Sequence, residues 1–108
     1  VDEGCSGPLW SVVPPMTATA WTSFVTGKGP GKHGIYDWTE PMPKSYVYEP
    51  VDSRKVKSET ILEMATNAGL RVATVNLPLT YPCRPLNGVA VSGMLSFSTF
   101  TCPPCWRR

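Results

Sequence analysis

Two stretches of the chain carry apolar side chains at the spacing of an amphipathic helix. The first places one set of side chains on a single helical face: Ala18, Trp21, Phe24 and Val25. Gly27 follows this stretch, and a glycine there is typical of a helix that ends. Either of two threonines, Thr17 or Thr19, is expected to cap the start of the helix.

The second stretch begins with the pattern of a capping box. Thr60 is expected to cap this helix, and Glu63 is expected to reach back to the backbone of Thr60. Gly69 is expected to end the helix. Its inward face is predicted to consist of Ile61, Leu62, Ala65 and Ala68.

Short apolar runs between proline and glycine predict strands. The runs are residues 9–13 (LWSVV), 71–77 (RVATVNL) and 89–91 (VAV). Residues 27–57 are predicted to be mostly loop, with 46–48 as the one strand candidate there. Because strands alternate with helices, the pattern predicts an α/β fold in which strand-helix and helix-strand units build a mostly parallel sheet.

Composition limits the size and the partners of the protein. The 108 residues suffice for a single domain, and the formal net charge of +2 is too small to indicate nucleic acid or an anionic membrane as a partner. The twelve prolines are about twice the usual share, so we expect long loops and a partial domain of a larger protein. No apolar run can span a bilayer, and no secretory signal begins the chain, so a cytoplasmic location is expected.

Thr17 is the main candidate for chemistry. It stands where a predicted strand turns into a predicted helix, and the free N–H groups and dipole of a helix start bind phosphate readily. A hydroxyl at that point would face a bound phosphorus, although a base or a metal must activate it for attack. The alternative is that Thr17 only caps the helix.

Several segments, in this order and spacing, resemble a known family. The segments are Pro14–Gly27 (PPMTATAWTSFVTG), Pro30–Asp37 (PGKHGIYD), Thr60–Glu63, Gly69–Val72, Asn76–Pro82 (NLPLTYP), Pro85–Val89 and Val91–Gly93. They resemble the type I phosphodiesterase/nucleotide pyrophosphatase family, and within it the branch of predicted phosphohydrolases or phosphomutases of the alkaline phosphatase superfamily. The resemblance covers about residues 7–95, and residues 96–108 form a divergent tail.

The resemblance implies a partial alkaline-phosphatase-like fold and a two-metal phosphoester hydrolase, usually with zinc. Thr17 occupies the place of the family's nucleophile and would also be a metal ligand, while the backbone N–H of Ala18 would donate to a phosphoryl oxygen. The substrate would be a phosphate ester. The family's other Asp and His ligands lie outside these residues, so we expect the isolated chain to be inactive and to bind no metal. A phosphomutase of the same superfamily is the alternative enzyme.

A basic glycine-rich turn follows the first predicted helix. Gly27 to His33 lacks the spacing of a phosphate-binding Walker loop, but Lys28 and Lys32 remain candidates for substrate binding. His33 is the single histidine, and it is expected to be held in a loop rather than to act as a base. Asp37 is likewise expected to fix a loop.

The four cysteines leave two rival interpretations. They allow two disulfides in three pairings, or they are ordinary thiols in a reducing compartment. Cys102 and Cys105 form a C-x-x-C pattern, so a small zinc or redox module is the alternative from another functional class.

A third interpretation of the function is a truncated product that has no independent activity. It predicts exposed apolar surface around residues such as Trp21 and Leu62.

Overall fold

The computed structural model describes residues 3–94 and the backbone of residues 101–102. The helices are α1 (Thr17–Thr26), α2 (Pro30–His33) and α3 (Ile61–Asn67), and a 3-10 turn lies at Ser53–Lys55. The strands are β1 (Thr39–Pro41), β2 (Tyr48–Pro50), β3 (Val72–Leu77), β4 (Gly88–Ser92) and β5 (Thr101–Cys102). No helix among the described residues is long and apolar enough to cross a membrane.

The main sheet contains the parallel pair that the sequence predicted. β3 and β4 run parallel, from the pair Val72 and Gly88 to the pair Leu77 and Ser92, and β5 joins β4 in the antiparallel direction. β1 and β2 form a separate antiparallel hairpin. The mixture of helices with a parallel pair confirms the α/β class. β3 stands at the edge of the main sheet, where Val75 is 73% exposed.

The prediction of a strand at residues 9–13 is wrong. This segment is extended but belongs to no sheet, and Leu9 and Trp10 are 97% and 90% exposed. An apolar run becomes a strand only where another strand offers hydrogen bonds, and none in the described part of the chain does so. The strand candidate at 46–48 is displaced, because β2 begins only at Tyr48.

Helix α1 ends as predicted but starts differently. Gly27 closes it in the left-handed conformation, with φ of 62°. The expected threonine caps are wrong, since Met16 occupies the capping position and makes no side-chain bond there, so that Thr17 and Thr19 are the first and third helical residues. The side chain of Thr19 points into the protein instead and donates to the carbonyl oxygen of Tyr36 at 2.7 Å.

Helix α3 confirms its predicted start but not its predicted burial. The hydroxyl of Thr60 accepts from the N–H of Glu63 at 3.3 Å, and the carboxylate of Glu63 accepts from the N–H of Thr60 at 2.8 Å. Gly69 follows the helix in the left-handed conformation. No residue of α3 is buried: Leu62 and Ala65 are only half-buried, although α3 contacts both α1 and β3, and Ile61 and Ala68 are exposed.

A small apolar core joins α1 to the loops around it. Its buried members are Ala18, Ile35 and Val56, and three half-buried side chains pack against them: Trp38, Val51 and Leu79. Arg84 ties the same loops together from the side. Its guanidinium bonds the carboxylate of Glu63 at 2.9 Å and donates to the carbonyl oxygens of Ser53 and Val56 at 2.7 and 2.8 Å.

The first pair of the parallel ladder depends on a glycine. A Cβ added at Gly88 would lie 1.8 Å from the carbonyl oxygen of Val72, and a backbone oxygen of a paired strand cannot move aside cheaply. We therefore expect Gly88→Ala to lower the free energy of unfolding by at least about 2 kcal/mol. Gly31→Ala is the matched control, because its Cβ would meet nothing within 4 Å. Equal denaturation midpoints for the two variants would contradict this account.

Candidate functional site

Thr17 lies at the open start of α1. The first hydrogen bond of the helix runs from the N–H of Ala20 to the carbonyl oxygen of Met16 at 2.8 Å. The N–H groups of Thr17, Ala18 and Thr19 consequently have no acceptor among the described residues. Thr17 is an exposed residue at the positive end of the helix dipole.

Ala18, the predicted backbone donor, is in a different position. The residue is completely buried within the apolar core, so its N–H is covered from solvent in this arrangement. Its side chain instead anchors the first turn of the helix against Ile35 and Val56. The N–H of Thr17 is therefore the more accessible donor beside the hydroxyl.

The described residues also form a groove of about 650 Å³, and no residue of α1 is among those that line it. The hairpin, the 3-10 turn and the segments that follow β3 and β4 form its walls, which place it at the carboxyl ends of the parallel strands, where α/β folds bind ligands. Two of its lining residues, Trp38 and Leu79, also pack on the core that contains Ala18. The groove therefore shares Trp38 and Leu79 with the apolar core, whereas Thr17 is not among its lining residues.

The charges near the groove are paired with each other. The side chain of Arg54 donates hydrogen bonds to both carboxylate oxygens of Asp52. The backbone N–H of Arg54 donates to one of these oxygens at 2.8 Å. These bonds stabilise the carboxylate and lower the pKa of Asp52. The ammonium of Lys55 bridges Glu40 and Glu49 across the hairpin. Hydrogen bonds to these two carboxylates raise the pKa of Lys55, and the bond from Lys55 lowers the pKa of Glu49.

Lys28 is not brought together with Thr17. Both lysines are exposed. Lys28 comes just after α1, a ten-residue helix about 15 Å long, and so lies far from the helix start. Lys32 belongs to α2, which turns back so that His33 contacts Ser23 in the middle of α1. Their role in substrate binding stays a prediction.

His33 is built into the interior. It is completely buried, its Nδ1 accepts from the N–H of Ile35 at 3.1 Å, and its Nε2 lies 2.9 Å from the hydroxyl of Ser23. Because Nδ1 accepts, we place the proton on Nε2. Asp37 accepts from the N–H of Trp38 at 2.6 Å, a contact within its own loop.

The described residues do not assemble a metal site. They contain no group of three or more His, Cys, Asp or Glu side chains that could hold a metal ion. Cys5 is exposed at the start of the described range, while Cys83 is half-buried far along the chain. Cys102 contributes its backbone to β5, and Cys105, the other half of the C-x-x-C pattern, lies outside the described residues.

Sequence reasoning missed the groove. Its walls come from a hairpin, a turn and two loops that are distant along the chain, so no local motif marks them. One signal was available: Trp38 is a large apolar side chain in a stretch predicted to be loop, and such a residue needs an apolar surface to cover it.

Burial of His33 has a measurable consequence for stability. Burial lowers its pKa below the usual 6.5, so the unfolded chain binds a proton more readily than the folded one. The free energy of unfolding should therefore fall as the pH drops below about 6.5. Chemical denaturation should give a lower free energy of unfolding at pH 5.5 than at pH 7.5. Because the chain has one histidine, His33→Phe should reduce this difference. If the His33→Phe variant shows the same difference in free energy of unfolding between the two pH values, that difference comes from other titratable groups.

Comparison with known proteins gives one match. No curated protein and no solved structure matches the chain. The sequence model of a family described as type I phosphodiesterase / nucleotide pyrophosphatase matches residues 1–106, which is nearly all of it. The chain therefore belongs to the type I phosphodiesterase/nucleotide pyrophosphatase family.

Proposed function

We propose that this chain carries the nucleophile of a metal-dependent phosphoester hydrolase, and that Thr17 is that nucleophile. One observation carries the proposal: Thr17 is an exposed residue at the start of α1, and its N–H has no acceptor among the described residues. Family membership supplies the reaction class, because the family hydrolyses phosphodiester and pyrophosphate bonds.

The chemistry follows from the geometry of the helix start. A phosphoryl group bound there accepts a hydrogen bond from the N–H of Thr17, and the helix dipole stabilises its negative charge. The hydroxyl oxygen of Thr17 then attacks phosphorus, the bond to the ester oxygen breaks, and the alcohol leaves. Water hydrolyses the resulting phosphothreonine and restores the hydroxyl.

The metal ions of the family do not fit the described residues alone. Activating a threonine hydroxyl needs a base or a metal, and the buried His33 does not reach solvent to serve as a base. Thr17 can offer one oxygen, but no group of three or more ligand side chains surrounds it in the described part of the chain. We infer that the complete enzyme binds two divalent ions, zinc in the first instance, through residues outside this part.

Replacement of Thr17 tests the proposal. In the full-length protein with added Zn²⁺ or Mn²⁺, Thr17→Ala should lower kcat/KM for an aryl phosphate ester by at least about 10³-fold, since it removes the attacking atom. Thr17→Ser should keep measurable activity because it keeps a hydroxyl. Ser11→Ala is the matched control, as Ser11 is also exposed shortly before the helix.

Mass spectrometry of the quenched reaction adds an independent readout. We expect a phosphoryl group on the peptide that contains Thr17, and none on that peptide in Thr17→Ala. Hydrolysis at an undiminished rate in Thr17→Ala would refute the assignment. The isolated 108-residue chain is expected to show no turnover with the same substrates and metals.

A further inference from the structure

The first turn of α1 is held from inside the protein. Met16 makes no side-chain bond at the capping position, and a helix end without a cap tends to fray. Thr19, the third residue of the helix, is completely buried, and its hydroxyl donates to the carbonyl oxygen of Tyr36 at 2.7 Å. The two residues are 17 positions apart in the chain. The bond therefore ties the helix start to a different segment of the protein.

The segment that accepts this bond is itself fixed. His33 is completely buried, and its Nδ1 accepts from the N–H of Ile35, which is also buried. The Nε2 of His33 lies 2.9 Å from the hydroxyl of Ser23. Thr19 and Ser23 are four residues apart, so they are neighbours on one face of α1. Two ties, one helical turn apart, consequently join α1 to residues 33–36.

The inward direction of Thr19 also sets the direction of Thr17. Successive residues of an α-helix are rotated by about 100°, so two positions along the helix correspond to about 200°. With Thr19 directed inward, Thr17 stands on the opposite side of the helix, where it is exposed. A shift or rotation of the first turn would move the hydroxyl oxygen of Thr17 relative to a phosphorus bound at the helix start.

We propose that Thr19 is a positioning residue for the nucleophile: its hydroxyl holds the first turn of α1 in the orientation in which Thr17 meets the phosphoryl group. This inference rests on the proposed function for the role of Thr17. Because Thr19 is completely buried, it acts through Thr17 rather than by contact with the substrate. Displacing an attacking atom by about 1 Å can lower a rate by about 10²-fold, so the reaction needs this placement as much as the fold does.

Kinetics of the full-length protein with added Zn²⁺ or Mn²⁺ test the role. Thr19→Val keeps the shape of the side chain but removes the donor. It should lower kcat for an aryl phosphate ester at least about tenfold while KM changes by less than about twofold. The groups that bind the substrate are unchanged, whereas the approach of Thr17 to phosphorus is not. Thr19→Ser restores the donor and should recover most of the lost rate.

Thr26→Val is the matched control. Thr26 is also buried in α1, but its hydroxyl donates to the carbonyl oxygen of Thr22 within the helix at 2.7 Å. The same substitution there removes a buried donor without releasing the helix start. It should leave kcat per folded molecule at the wild-type value.

Amide hydrogen exchange of the same full-length variants gives a readout that does not depend on turnover. The N–H of Ala20 forms the first hydrogen bond of α1, to the carbonyl oxygen of Met16. It should exchange faster in Thr19→Val, because the first turn is released, and at the wild-type rate in Thr26→Val. Unchanged exchange at Ala20 in Thr19→Val would overturn the inference.

The kinetic outcomes separate this role from the assignment of the nucleophile. The positioning role alone is overturned if Thr17→Ala abolishes turnover while Thr19→Val keeps the wild-type kcat, matches the loss in Thr26→Val, or is not rescued by Thr19→Ser. It is likewise overturned if turnover in Thr19→Val falls only in proportion to the loss of folded protein. Undiminished hydrolysis by Thr17→Ala would overturn the proposed function, and the positioning role with it.

Discussion

The arrangement of the candidate site depends on a partly buried hydrogen bond, from the hydroxyl of Thr19 to the carbonyl oxygen of Tyr36. Helix α1 has no side-chain cap, so contacts further along its first turn must fix where the helix begins. The bond from Thr19 and the packing of Ala18 on Ile35 do this together. Because both residues are buried, the preceding Thr17 is left on the exposed side of the helix start.

Threonine hydroxyls replace apolar contacts along the buried side of α1. Thr22 donates to the carbonyl oxygen of Ala18 at 2.8 Å, and Thr26 donates to that of Thr22 at 2.7 Å. Each buried hydroxyl is thereby satisfied within the helix, and only its methyl group needs a neighbour. This explains how a helix with few large apolar residues inside can pack closely, while Trp21 and Phe24 contact each other nearer the surface.

Local signals predicted the elements whose causes are local. The capping box of Thr60 and Glu63 and the left-handed glycine at Gly27 act within one helical turn, so the sequence suffices to place them. The segment 9–13 and the apolar face of α3 depended on partners elsewhere in the chain, and there the prediction failed. For the candidate site, the position of Thr17 at a helix start followed from pattern and resemblance. The groove did not, because its shape arises from the meeting of distant loops.

The open edge of β3 has a consequence for how this chain behaves in concentrated solution. Its outer N–H and C=O groups face no strand in the described part of the protein, and the exposed Val75 makes that border apolar. Such a border is a template for further β-strands of any origin. Unless another polypeptide segment covers this edge, the protein should aggregate at high concentration and stay soluble at low concentration. Charged substitutions along the edge strand should reduce that aggregation.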